Sequence, residues 1–225
     1  DYLSGEQLLT IEKIKDSGVN KIIVNGCDMA SNIEVLELVK KYDIVYGALG
    51  FHPTELDNFN DEYLLWLDEH IDDEKIVALG EIGLDYHYDN TDKDMEIDIF
   101  RKQLEIAKKH NLRVIYDGAH AFKVKVNGET ISQFGDCTMF SLHATKLFHA
   151  VEGGALATND AALTKQFDTL MNFGLVDEET IIQGGCNAKM SEFHAAMGLC
   201  NLEYVDGWIE QRTELYDYYL LQLKD

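Results

Sequence analysis

The sequence predicts an α/β fold with a mostly parallel sheet. Two features of its first half point there: short apolar runs rich in β-branched residues, and longer amphipathic runs between them. That alternation marks βαβ units, whose crossovers leave neighbouring strands parallel. A third feature is where the chemically capable side chains fall. Several stand just past an apolar run, the position at which α/β folds place their sites.

In chain order, residues 21–25 (KIIVN), 44–49 (IVYGAL), 76–79 (IVAL) and 113–116 (RVIY) read as strands. Residues 31–41, 61–71 and 93–109 read as the intervening helices, and in the last of them Ile97, Phe100, Leu104 and Ala107 recur at helical spacing. Consecutive right-handed crossovers are expected, as in a barrel or an open doubly wound sheet. After about Val114 the texture changes. Residues 122–130 (FKVKVNGET) alternate like a strand pair around an Asn-Gly turn and predict a small hairpin. Strands are then expected at 138–142 and 154–158, helices at 160–173 and from Met190, and a long helix at the end. The two textures meet in or near one strand, so either one merged sheet or two half-domains packed edge to edge is expected.

Composition narrows the function classes. Forty-one acidic residues against 19 basic ones give a formal net charge of −22. This disfavours nonspecific binding to nucleic-acid phosphates, although bound metal ions can supply the missing positive charge in a nuclease. No run reaches membrane-spanning length, and the start carries no cleavable-signal pattern. Cys27, Cys137, Cys186 and Cys200 form no CxxC pair and read as reduced, partly buried thiols of a cytoplasmic protein. Without an initiator Met, and ending inside the run WIEQRTELYDYYLLQLKD, the chain reads as a fragment.

In the first half, GFHP places His52, and GEIGLDY places Glu81, just after a predicted strand. Glu81 can bridge divalent ions, and His52 can act as a ligand or an acid–base group. The plainer alternatives are a carboxylate that caps a helix or joins an ion pair, and a structural imidazole beside Pro53. In the second half, Asp117 follows an apolar strand, His120 comes three residues later, Ser141 follows another strand, and Lys146 lies five residues on. A pyridine cofactor needs a carboxylate at its ring nitrogen, an amine to hold it covalently, and hydroxyls and backbone N–H groups at its phosphate. The neighbours Ala144, Thr145, Leu147 and Phe148 suggest a desolvated lysine. The plainer alternatives are a solvated lysine and, for Gly153 and Gly154, a simple turn.

The runs GALGFHPTE, VALGEIGLDYHYD and FRKQLEIAKKHNLRVI, in that order and spacing, resemble the TatD-type metal-dependent deoxyribonucleases. The resemblance covers residues 1–114 and implies part of a (β/α) barrel, with Glu81 as a bridging ligand for Mg, Mn or Zn and His52 beside it. It also implies an HxH pair on an earlier strand, and a ligand His where this chain has Asp117. One carboxylate and one imidazole do not complete a metal pair.

The runs VIYDGAHAF, FGDCTMFSLHATKLFHAVEGGALATND and NAKMSEFHAAMGL resemble the DegT/DnrJ-type aminotransferases, which place amino groups on nucleotide-linked keto-sugars. This resemblance covers residues 115–225 and implies part of the large domain of a fold-type I aminotransferase. By it, Lys146 holds pyridoxal 5'-phosphate and shuttles the proton, and Asp117 pairs with the pyridine nitrogen. His120 lies against the ring or near its O3′, and Ser141 binds the phosphate. Asn187 reaches the phosphate of a partner subunit's cofactor, which implies a homodimer. His143 and His149 belong to the motif without an assigned chemistry. The family's N-terminal phosphate loop and stacking aromatic are replaced by the nuclease-like half. Three functions follow: a sugar aminotransferase-like protein using an amino donor, a metal-dependent hydrolase acting on nucleic acid, or a folded chimera without turnover.

Overall fold

The structure, a computed structural model, describes residues 5–87 and 92–223. The last two residues of the run VALGEIGLDYHYD, 88 and 89, lie outside them. The chain divides into two compact units, Asp1–Leu112 and Arg113–Asp225.

The first unit runs α1 (Gly5–Asp16), β1 (Ile22–Asn25), α2 (Met29–Lys41), β2 (Val45–Leu49), α3 (Glu62–His70), β3 (Ile76–Leu79) and α4 (Lys93–Lys109). Its strands lie in chain order, β1-β2-β3, and both pairings are parallel. Two of the helix starts are capped by a side chain. Asp28 accepts from Ser31 N at 2.8 Å to cap α2, and Asp92 accepts from Asp94 N and Met95 N, both at 3.1 Å, to cap α4. Gly47 sets the spacing of helix on sheet, because a Cβ there would stand 2.5 Å from Val35 Cγ1 and 2.7 Å from Ile76 Cδ1. The core is continuous from Val35 and Val39 through Val45, Leu49 and Leu67 to Ile99 and Ile106.

The inward stripe of α4 differs from the one its periodicity predicts. Glu96, Ile99, Gln103 and Ile106 are buried, one position before Ile97, Phe100 and Leu104, which are only half-buried, and Ala107 is buried as expected. The reason is polar. Gln103 Oε1 accepts from Phe51 N at 2.8 Å, and its Nε2 donates to Phe51 O at 3.1 Å. Asn32, on α2, does the same for Gly50, with its Nδ2 2.8 Å from Gly50 O and its Oδ1 3.0 Å from Gly50 N. Glu96 Oε2 accepts from Asp85 N at 2.9 Å, while its other oxygen is buried without a partner. The three side chains hold the backbone that leaves β2 and β3.

The second unit contains β4 (Ile115–Asp117), β5 (Lys125–Val126), β6 (Glu129–Thr130), β7 (Cys137–Ser141) and β8 (Gly154–Ala157), then α5 (Ala161–Met171), α6 (Glu192–Leu202) and α7 (Val205–Gln222). β4 pairs with β7 in parallel and β8 joins β7 antiparallel, while β5 and β6 form the expected hairpin. Asn127 and Gly128 turn it with φ of 52° and 88°, the paired positive values a two-residue hairpin needs. The expected merged sheet is not formed: the described strands make three separate sheets, β1-β2-β3, β4-β7-β8 and β5-β6. The core is small: Leu142, Phe148, Ala150 and Val205, with Phe122 stacked on Phe148 at 4.1 Å. Only the first residue of α7, Val205, is buried. Of the cysteines, Cys137 is buried and Cys27 half-buried, but Cys186 and Cys200 are exposed. Burial pushes the Cys137 thiol pKa up.

Two outcomes test this fold. His110, at the end of α4, places Nε2 2.8 Å from Asp68 Oδ1 and Nδ1 2.7 Å from Asp72 Oδ2, both on or just past α3. Bonding to Asp68 first, then to Asp72, raises the His110 pKa, and Lys109 and His110 together lower that of Asp68. A raised histidine pKa contributes stability that is complete below about 6.5 and is lost as pH climbs through the folded value. The thermal midpoint should therefore fall over that alkaline window, and His110→Gln should flatten the fall. Separately, Gln103→Leu leaves Phe51 N–H and C=O unpaired, and urea unfolding should show a loss of about 1–3 kcal/mol for each.

Candidate active site

The ends of β4 and β7 gather most of the candidate residues of the second unit. Asp117 is opposite Met139 in the parallel register, and Ser141 stands two residues further along β7, so Asp117 and Ser141 share one face of the sheet. Asp117 Oδ1 accepts from Ala119 N at 2.9 Å, bending the chain as it leaves the strand. Gly118 permits that bend: a Cβ there would meet Thr138 Cγ2 at 2.7 Å and Met139 O at 2.9 Å. The bend carries His120, whose Nε2 lies 2.9 Å from Lys146 Nζ.

Lys146 is presented by a turn directly after β7. Its N–H donates to His143 O at 2.9 Å, and Thr145 N–H donates to His143 Nδ1 at 3.3 Å. Ser141 Oγ accepts from His143 N at 3.4 Å. Leu142, Phe148 and Ala150 anchor the segment in the core. The desolvated lysine expected from its neighbours is not observed: Ala144 and Thr145 are exposed, and Lys146 itself is half-buried beside His120. Asp117 and His120 are exposed, which leaves the face open to a ligand.

Asn187 is not brought to this group. It lies in the α5–α6 connection, exposed, bridged through its backbone to Asn172, with Oδ1 accepting from Lys189 N at 3.4 Å. His149 is structural in its contacts: its carbonyl accepts from Asn201 Nδ2 on α6 at 2.9 Å.

In the first unit, His52 and Glu81 follow the adjacent strands β2 and β3. His52 caps a short 3-10 turn, Pro53–Glu55, accepting from Thr54 N at 3.3 Å through Nδ1, which also lies 2.8 Å from Thr54 Oγ1. Glu81 is exposed. Among the described residues, no group of three or more His, Cys, Asp or Glu is arranged to hold a metal ion. An open groove of about 670 Å³ lies at Lys40, His70 and Lys75, before β3 begins and away from His52 and Glu81. No helix among the described residues is long and apolar enough to cross a membrane.

The residues that single-sequence reasoning leaves without a role are Asn32, Glu96, Gln103 and His143. Gln103 carries a signal, an amide seven residues after Glu96 and so on the same face of α4, flanked there by Ile99 and Ile106. His143 carries another, since His-x-Thr occurs after both β2 and β7.

The pattern of the TatD related DNase family matches residues 2–130, and that of the DegT/DnrJ/EryC1/StrS aminotransferase family matches residues 97–225. A dTDP-4-amino-4,6-dideoxy-D-glucose transaminase of Shigella dysenteriae is 44% identical over 121 residues, 54% of this chain and 33% of that protein. An uncharacterized metal-dependent hydrolase, YabD of Bacillus subtilis, is 39% identical over 119 residues, 51% of this chain and 47% of that protein. The chain thus spans between a third and a half of these relatives. The aminotransferase PseC of Helicobacter pylori, involved in the biosynthesis of pseudoaminic acid, shares the fold with a TM-score of 0.58 at 24% identity, over 92% of this chain and 52% of that one. With each pattern covering more than half of its length, the chain is a chimera that belongs to both families, TatD related DNases through residues 2–130 and DegT/DnrJ/EryC1/StrS aminotransferases through residues 97–225.

Proposed function

We propose that the second unit is the lysine-bearing part of a pyridoxal 5'-phosphate site of the sugar aminotransferase kind. The observation that carries this reading is the convergence of two strand ends: Lys146 Nζ lies 2.9 Å from His120 Nε2, with Asp117 and Ser141 on one face of the sheet beside them. Pyridoxal phosphate supplies an electron-withdrawing pyridine ring and an aldehyde that an amine can hold. Lys146 would hold it and carry the proton, Asp117 would keep the ring nitrogen protonated, and His120 would lie against the ring or near its O3′. Ser141 would bind the phosphate, with Asn187 serving a partner subunit's cofactor in a homodimer. The substrate class is a nucleotide-linked keto-sugar with an amino donor, supported by the Shigella relative's dTDP-sugar activity. This chain alone is expected to capture the cofactor without sustaining turnover.

Adding pyridoxal phosphate should produce the visible absorption band of a lysine-linked cofactor, absent in Lys146→Ala. A native chain without the band would overturn the reading.

A second reading rests on the match to YabD and the family pattern of residues 2–130: a hydrolase using Mg, Mn or Zn at Glu81, with His52 alongside. The described donor set does not fit such an ion, since no cluster of three ligands forms around it. Divalent-dependent cleavage of DNA that disappears in Glu81→Ala would support this reading, and inactivity with all three metals would end it.

A further inference from the structure

Both units use the same device where a strand ends. His52 follows β2 and His143 follows β7; each accepts, through Nδ1, the backbone N–H of a threonine two residues on, at 3.3 Å in both cases. The same Nδ1 lies 2.8 Å from Thr54 Oγ1 and 2.9 Å from Thr145 Oγ1. The carbonyl of each histidine then accepts from the N–H three residues on, Glu55 at 3.0 Å and Lys146 at 2.9 Å. The backbone bond closes each four-residue turn, and the imidazole pairs the threonine amide inside it. In the first unit the turn presents Glu55. In the second it presents Lys146.

The ring of His143 has a defined tautomer in this arrangement, assigned from its hydrogen bonds. An Nδ1 that accepts from a backbone N–H carries no proton, so the ring proton sits on Nε2, which faces Glu152 Oε1 at 3.5 Å. The His143 side chain is 46% exposed, so packing does not account for it. We propose that His143 is a positioning residue for Lys146: its Nδ1 accepts the Thr145 N–H inside the 143–146 turn and so steadies the turn that aims the lysine at His120. This rests on the reading of Lys146 as the cofactor lysine, and it adds a residue that touches neither cofactor nor substrate.

The geometry separates two variants that differ by one methylene. Asn places Oδ1 where Nδ1 stands and can accept from Thr145 N–H. Gln places its oxygen where Nε2 stands and cannot. Hydrogen exchange of the Thr145 amide and the rate of cofactor capture, followed by its visible band, should be measured on His143→Ala, His143→Gln and His143→Asn. Ala and Gln should speed exchange and slow capture by about tenfold, the order of one lost hydrogen bond, and Asn should recover both. Capture at the native rate in the Gln variant despite faster exchange would overturn the proposal, as would equal behaviour of Asn and Gln. Should the native chain capture no cofactor, the reading of Lys146 falls, and the cofactor-free ¹⁵N resonance of His120 Nε2 decides the positioning claim. It should move in the Gln variant and return in the Asn variant; unchanged in both, it would contradict the claim.

Discussion

Backbone that leaves a parallel strand has polar groups that no neighbouring strand can pair, and most of this structure is arranged around that constraint. Buried and unpaired, each such group costs about 1–3 kcal/mol. The first unit answers with side chains from the helices behind the sheet: Asn32 pairs with both groups of Gly50, Gln103 with both groups of Phe51, and Glu96 with Asp85 N. The second answers locally and in the open, with Asp117 bonding Ala119 N, and His143 bonding Thr145 N. Residues that could do chemistry, His52 and Glu81 in one unit and Lys146 in the other, stand on the segments held in these ways.

The two units are unequal in what holds them. The first has a continuous core reaching from α2 through the sheet to α4, reinforced by the His110 pairing with Asp68 and Asp72. The second buries few large side chains, and α7 leaves Leu215, Tyr216 and Leu221 more than half exposed. Local bonds carry more of its order: the Lys123–Asp206 pair at the start of α7, the Asp160 cap of α5 and the turn after β7. The two family patterns overlap over residues 97–130, which contain most of α4, β4 and the hairpin. In this chain that stretch is a helix followed by a strand, so helix–strand alternation continues through the overlap.

Much of this was legible in the residues. The bounds of α4 and β3 follow from periodicity and flanking signals, and the Asn-Gly turn announces its hairpin. Lys146, Asp117, His120 and Ser141 could be placed at strand ends because apolar runs precede them. The inward face of α4 could not be read, because hydrophobicity alone picks Ile97, Phe100 and Leu104, whereas the sheet side is chosen by Glu96 and Gln103 bonding to backbone 11 and 52 residues away. That Lys146 is only half-buried was equally hidden, since Ala144 and Thr145 beside it in sequence are exposed.

The claim on which the functional account turns is that one lysine, presented by the turn after β7, differs in kind from the rest. Borohydride reduction after mixing the chain with pyridoxal phosphate, followed by peptide mass mapping, tests it directly. The account predicts a stable pyridoxyl-phosphate adduct on Lys146 and on no other lysine. An adduct spread across the surface lysines, or none at all, would contradict it.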